Sequence, residues 1–126
     1  MPNETRTRRL ADRIREELAE ILLRQAADPR LAGMLLTGVD VDREFAYATI
    51  HVTALEGSGR RADILRGLRA ARGFLRSALA SRIPLRSFPR LRFRWDETAE
   101  RAAAVEAVLA RLRAEEAAVE SGRHEG

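Results

Sequence analysis

The chain has 126 residues, 45% of them hydrophobic, and a formal net charge of +4. That suffices for one domain with its own core and excludes a wholly disordered chain. The lack of cysteine excludes a disulfide framework and a thiolate metal site.

The opening residues, MPNETRTRRLADR, lack the apolar stretch of a signal peptide. No later run approaches the roughly 20 apolar residues of a membrane span. Cytoplasmic residence and no membrane partner are expected. Residues 5–27 carry Leu10, Ile14, Leu18, Ile21 and Leu22 at helical spacing, which predicts an amphipathic helix. Arg6, Arg8, Arg9, Arg13 and Arg15 crowd its start, against the helix dipole. They form either a solvated fringe or a further contact to an anionic partner. Asp28-Pro29 ends the helix, because proline disfavours helical geometry at the residue before it.

A turn at Gly33 leads to a strand over 35–41, with Thr37, Val39 and Val41 alternating against Gly38 and Asp40. A second strand over 46–54 places Ala48, Ile50 and Val52 on one side and Tyr47, Thr49, His51 and Thr53 on the other. The short connection predicts an antiparallel hairpin. Glu56-Gly57-Ser58-Gly59 breaks the pattern. Residues 61–71 and 73–82 are helical in period, with Ile64, Leu65, Leu68 and Ala71, then Phe74, Leu75, Ala78 and Leu79, expected inside. Gly73 at the junction permits a kink. Residues 90–95 alternate Leu91, Phe93 and Trp95 with Arg90, Arg92 and Arg94. A last helix over 97–119 directs Val105, Val108, Leu109 and Leu112 inward, and the tail from Glu120 is expected to be disordered. The order αββααβα makes an α+β domain with a three-stranded sheet and an additional C-terminal helix. The domain is expected over 5–112, with 113–126 as helix end and tail.

Catalytic motifs are weak. Gly57-x-Gly59-x-x-Ala62 matches the dinucleotide fingerprint in form. It lacks the parallel βαβ unit and the acid about 20 residues on. His51 has no acid at an obvious relay spacing, and His124 lies in the tail. Glu16/Glu20 and Asp96/Glu100 have helical spacing, which a solvated face explains. No enzyme activity, cofactor or metal is expected.

Charge is the stronger signal. All 23 basic residues are arginine. Codon bias accounts for that, yet arginine forks onto phosphate and stacks on bases where lysine is a point charge. Eleven arginines and one acid, Asp63, fall between Arg60 and Arg94, so the other residues sum to −6. Arg66, Arg69, Arg72 and Arg76 step by three, three and four along one helical flank; Arg82 and Arg86 extend it, and Arg90, Arg92 and Arg94 add the outward side of the last strand. A solvated face would intersperse acids. The pattern points to nucleic acid, gripped through phosphates and shape, since Phe74, Phe93 and Trp95 are expected in the core.

Several segments in order resemble the ribosome-binding factor A family of bacterial small-subunit assembly factors, from about residue 6 to 112. They are Asp28-Pro29-Arg30-Leu31; Val39-Asp40-Val41 followed by Tyr47-Ala48; Ala71-Arg72-Gly73-Phe74-Leu75-Arg76-Ser77; and Arg82-x-x-Leu85-Arg86-x-x-Pro89-x-Leu91-x-Phe93-x-x-Asp96. The resemblance implies a KH-like type II fold (αββααβ) whose Gly-x-x-Gly loop is replaced by an Ala-x-Gly interhelical kink, matched by Ala71 and Gly73. It implies a monomer that binds the small (30S) subunit and its 16S rRNA during late maturation. It also implies cold-adaptation phenotypes and release aided by a ribosome-dependent GTPase. Ala71–Gly73 would centre the RNA-facing surface, with Arg66, Arg69, Arg72, Arg76, Arg82 and Arg86 on phosphates and Arg90 and Arg92 extending it. Two departures stand out: Ala32 precedes Gly33, and Arg90 replaces a common acid. No function carries onto Thr98–Gly126. A basic DNA-binding or protein-scaffolding module is the alternative.

Overall fold

A computed structural model describes residues 2–24, 28–55 and 57–125. Helix α1 spans Pro2–Arg24. It begins three residues before the expected start, with proline where a missing N–H costs nothing; the expected end, 25–27, lies outside the described residues. Leu10, Ile14, Leu18 and Ile21 form its buried stripe. Asp28 then caps a 3-10 turn over Pro29–Leu31, its Oδ1 accepting from the Arg30 N–H at 2.9 Å.

Strands β1 (Met34–Val41), β2 (Tyr47–Ala54) and β3 (Arg90–Trp95) form one sheet in the order β1-β2-β3. The β1–β2 hairpin is antiparallel, as its short connection predicts, and β2 pairs with β3 in parallel. The even alternation expected along β1 is broken by a bulge between Leu36 and Gly38. The extra residue, Thr37, lets Leu36 and Val39 both pack against the core.

Helices α2 (Arg61–Ala70) and α3 (Arg72–Arg82) make the crossover to β3. Ile64, Leu65 and Leu68 of α2 and Leu75 and Leu79 of α3 are buried with Ala48, Ile50, Val52, Leu91, Phe93 and Trp95. All three helices therefore cover one face of the sheet. Gly67 is where α2 meets the 3-10 turn: a Cβ there would lie 3.0 Å from Arg30 Cβ and 3.1 Å from Leu31 Cδ2. Phe74, expected inside, is 56% exposed. Leu75 and Leu79, four apart, set the buried line of α3, and Phe74 lies about 100° around the helix from it.

Residues Met1–Asp96 form one compact unit and Glu97–Gly126 a second. Helix α4 runs over Glu97–Glu125 and takes in residues 120–125 of the tail expected to be disordered; Gly126 lies outside the described residues. Its Val105, Val108, Leu109 and Leu112, expected inside, are 38–57% exposed. Alanines at 102, 104, 107 and 110 favour helix by propensity, and Arg101 adds an i,i+4 pair with Glu97 at 3.3 Å. No helix among the described residues is long and apolar enough to cross a membrane.

Candidate nucleic-acid interface

The arginines between Arg60 and Arg94 divide into those that hold the fold and those that face outward. Arg60 reaches 30 residues back, its Nη2 donating to the carbonyls of Pro29 at 2.7 Å and Arg30 at 3.3 Å. Arg76 donates from Nη2 to the Phe88 carbonyl at 2.6 Å and from Nε to that of Pro89 at 3.2 Å. Arg82 Nη1 lies 2.9 Å from Glu17 and 3.2 Å from Glu20, and the bond to Glu17 raises its already high pKa. Each ties a loop or helix to a segment distant in sequence.

The expected row of Arg66, Arg69, Arg72 and Arg76 is not continuous, because the helix breaks between Arg69 and Arg72. Ala71 is the break, at φ −88° and ψ 0°, its N–H bonded to the Gly67 carbonyl at 3.1 Å. Gly73 sits one residue inside α3, exposed, with nothing within 4 Å of the place a Cβ would take. The kink thus rests on the Ala71 backbone, and Gly73 leaves bare backbone beside it. Arg66 and Arg69 line one shallow hollow with Arg61, Ser58 and Gly59. Arg66 is also 3.8 Å from Asp63, an exposed pair of little energetic weight. Arg72 lies over the Phe93 ring at 5.8 Å. Arg86 is exposed in the connection to β3.

Arg90, Arg92 and Arg94 face away from the helices. The register pairs Arg90 with Tyr47, Arg92 with Thr49 and Arg94 with His51, so these side chains share the sheet face opposite α1, α2 and α3. The basic stretch therefore presents two surfaces, one on the α2–α3 layer and one on the open sheet, where a single cationic side was expected. On the open face the Arg92 guanidinium stacks 3.4 Å from the centre of the Tyr47 ring. Arg92, as donor to the phenol and as a charge, lowers the Tyr47 pKa, and Arg90 adds to the effect. His51 does find an acid: Asp40 Oδ2 is 2.8 Å from its Nε2, set diagonally across the β1–β2 pair. No group of three His, Cys, Asp or Glu side chains that could hold a metal occurs among the described residues.

Two aromatic groups thus belong to the surface. Tyr47 reads as outward from alternation, but its partner Arg92 emerges only from the β2–β3 register. Phe74 reads as core until the phase of α3 is fixed by Leu75 and Leu79.

Three helices on one face of a β1-β2-β3 sheet, with an αββααβ order and a kinked helix pair, define a KH-like type II domain. Residues 6–109 match the family described as Ribosome-binding factor A. Ribosome-binding factor A of Thioalkalivibrio sulfidiphilus is 40% identical over 119 residues, covering 94% of this chain and 92% of its own. The crystal structure of ribosome-binding factor A from Thermus thermophilus aligns with a TM-score of 0.62 at 28% identity, covering 71% of this chain and 93% of that one. A homology model of the Thermus thermophilus factor, fitted into the cryo-EM map of its 30S complex, aligns with a TM-score of 0.53 at 27% identity, covering 72% of this chain and 91% of that one. The chain belongs to the ribosome-binding factor A family.

Proposed function

We propose that the chain binds the small ribosomal subunit through its 16S rRNA during late maturation, as a non-catalytic assembly factor. The carrying observation is the set of exposed arginines on the α2–α3 layer, the connection to β3 and the open sheet, Arg66, Arg69, Arg72, Arg86, Arg90 and Arg92, in a domain whose Thermus thermophilus relative was fitted into a 30S complex. Phosphate contacts of this kind fix position and grip more than sequence choice. Ala71 and Gly73 mark where RNA backbone comes closest to the helix pair, since Gly73 projects no side chain. Arg76 and Arg82 brace this surface by holding the connection before β3 and helix α1. The binding unit lies within residues 5–112. Action in the cytoplasm as a monomer, release aided by a ribosome-dependent GTPase, and a role in cold adaptation complete the proposal.

Co-sedimentation with small subunits, large subunits and whole ribosomes tests it. Pelleting with small subunits, only or chiefly, is expected. Affinity should fall with salt at a log–log slope of roughly −0.7 to −0.9 per phosphate contact. Equal binding to large subunits, or binding indifferent to salt, would overturn the reading.

A further inference from the structure

The turn between β1 and β2 holds Phe45 at φ 55°, an unfavourable conformation for a bulky side chain. The turn is braced around it. The Phe45 N–H donates to the Asp42 carbonyl at 3.1 Å, and Asp42 Oδ1 accepts from the N–H groups of Ala46 at 2.8 Å and Tyr47 at 3.0 Å. Phe45 and Tyr47 both line a cavity of about 340 Å³, whose lining also includes Arg76, Ser87 and Arg90. The volume is at the lower end of small-ligand sites, about 300–1,000 Å³.

We propose that this cavity receives one unpaired ribonucleotide, with its phosphate on Arg90 and its base against the ring of Tyr47. The proposal rests on the chain being an RNA binder and names a site within that reading. Two guanidiniums border the cavity, and no carboxylate is among its described lining residues, so an anion is favoured. Arg76 is fixed there by its bonds to the Phe88 and Pro89 carbonyls, which removes the cost of ordering it on binding. Arg92 covers one face of the Tyr47 ring without lining the cavity, so a base stacked on the rest of the ring completes a sandwich. Bases paired within a duplex cannot enter; splayed or single-stranded ones can. The site would therefore distinguish unpaired from paired RNA, which surface arginines cannot.

Tyr47 is the single tyrosine of the chain, so its phenol can be followed alone by ultraviolet titration and its ring by NMR. The probes are adenosine 5′-monophosphate, a single-stranded hexanucleotide RNA and inorganic phosphate. The first two are expected to shift the ring signals and raise the midpoint of the phenol titration. Arg90→Gln should weaken the monophosphate roughly tenfold, the loss of about one charge-assisted hydrogen bond. Ser87→Phe, at an exposed position, fills the cavity without changing charge and should abolish the response. The proposal is overturned if Tyr47 ignores both nucleotide probes, if inorganic phosphate reproduces the effect at equal affinity, or if both variants respond as the parent does. Small-subunit co-sedimentation with an unresponsive Tyr47 would sink the cavity and spare the RNA reading. A responsive Tyr47 in a chain that pellets with no subunit would do the reverse.

Discussion

Arg82 and Glu17 meet at 2.9 Å although 65 positions of sequence separate them. The contact joins the end of α3 to the middle of α1, with side chains only 25% and 18% exposed. Arg82→Ala is expected to lower the melting temperature by a few degrees. The loss is partial because Arg13, 3.3 Å from Glu17, remains to accompany that carboxylate. Pairing Arg82→Ala with Glu17→Gln should cost less than the two single changes added together. Thermal unfolding followed by circular dichroism checks both points.

Two glycines of the helix pair should respond in opposite ways to alanine. At Gly67 a methyl group would meet Arg30 Cβ at 3.0 Å, on a turn held by Asp28 and Arg60. Overpacking of about 1–3 kcal/mol should outweigh the helix-propensity gain of about 1 kcal/mol, so Gly67→Ala destabilises. At Gly73 nothing opposes the methyl, and the same substitution should stabilise by up to about 1 kcal/mol. If the bare backbone serves close approach of RNA, Gly73→Ala nevertheless weakens subunit binding. Denaturant titration and co-sedimentation on the same variants separate the two effects.

Charge reversal should also split the arginines. Arg66→Glu with Arg69→Glu is expected to leave unfolding unchanged, weaken subunit binding and flatten the salt slope by roughly 0.7–0.9 for each phosphate no longer neutralised. Arg76→Glu should instead destabilise the domain, since it places a carboxylate against the carbonyls of Phe88 and Pro89. A stable Arg76→Glu protein with abolished binding would make Arg76 a phosphate contact and not a strut.

The single tyrosine supplies a pH test. Its phenol ionises more readily in the folded chain than the ordinary value of 10.0 because of Arg92 first and Arg90 second. Arg92→Ala should raise the titration midpoint toward that ordinary value. A lowered folded pKa favours the native state once the phenol is ionised. That contribution is present above the ordinary pKa and is lost as pH falls through the folded value. Ultraviolet titration of native and denatured protein measures the shift.

Elements with strong periods were legible in the sequence: the stripe of α1, the alternation of β2 and β3, the Ala71–Gly73 break. What escaped depends on long-range placement. The bulge at Thr37 repairs a register that only pairing with β2 defines. Arg60, Arg76 and Arg82 look like surface charge because their partners lie 12 to 65 residues away. Alternation turns Arg90, Arg92 and Arg94 outward but does not say that outward means the side opposite α2 and α3. In α4 the apolar spacing points to burial, yet Val105, Val108, Leu109 and Leu112 are exposed in a helix rich in alanine.

The parallel pairing of β2 with β3 has a consequence for synthesis. A ribosome emits the hairpin first, and Tyr47 leaves it 45 residues ahead of Arg92, which comes to lie on its ring. The α2–α3 crossover must be completed before β3 can dock, and long connections of this kind close late. The growing chain therefore shows the arginines of its sheet, all of them on β3, only as Leu91, Phe93 and Trp95 close the interior. A nascent, half-folded copy carries the charge without the shape, and only the finished domain presents both.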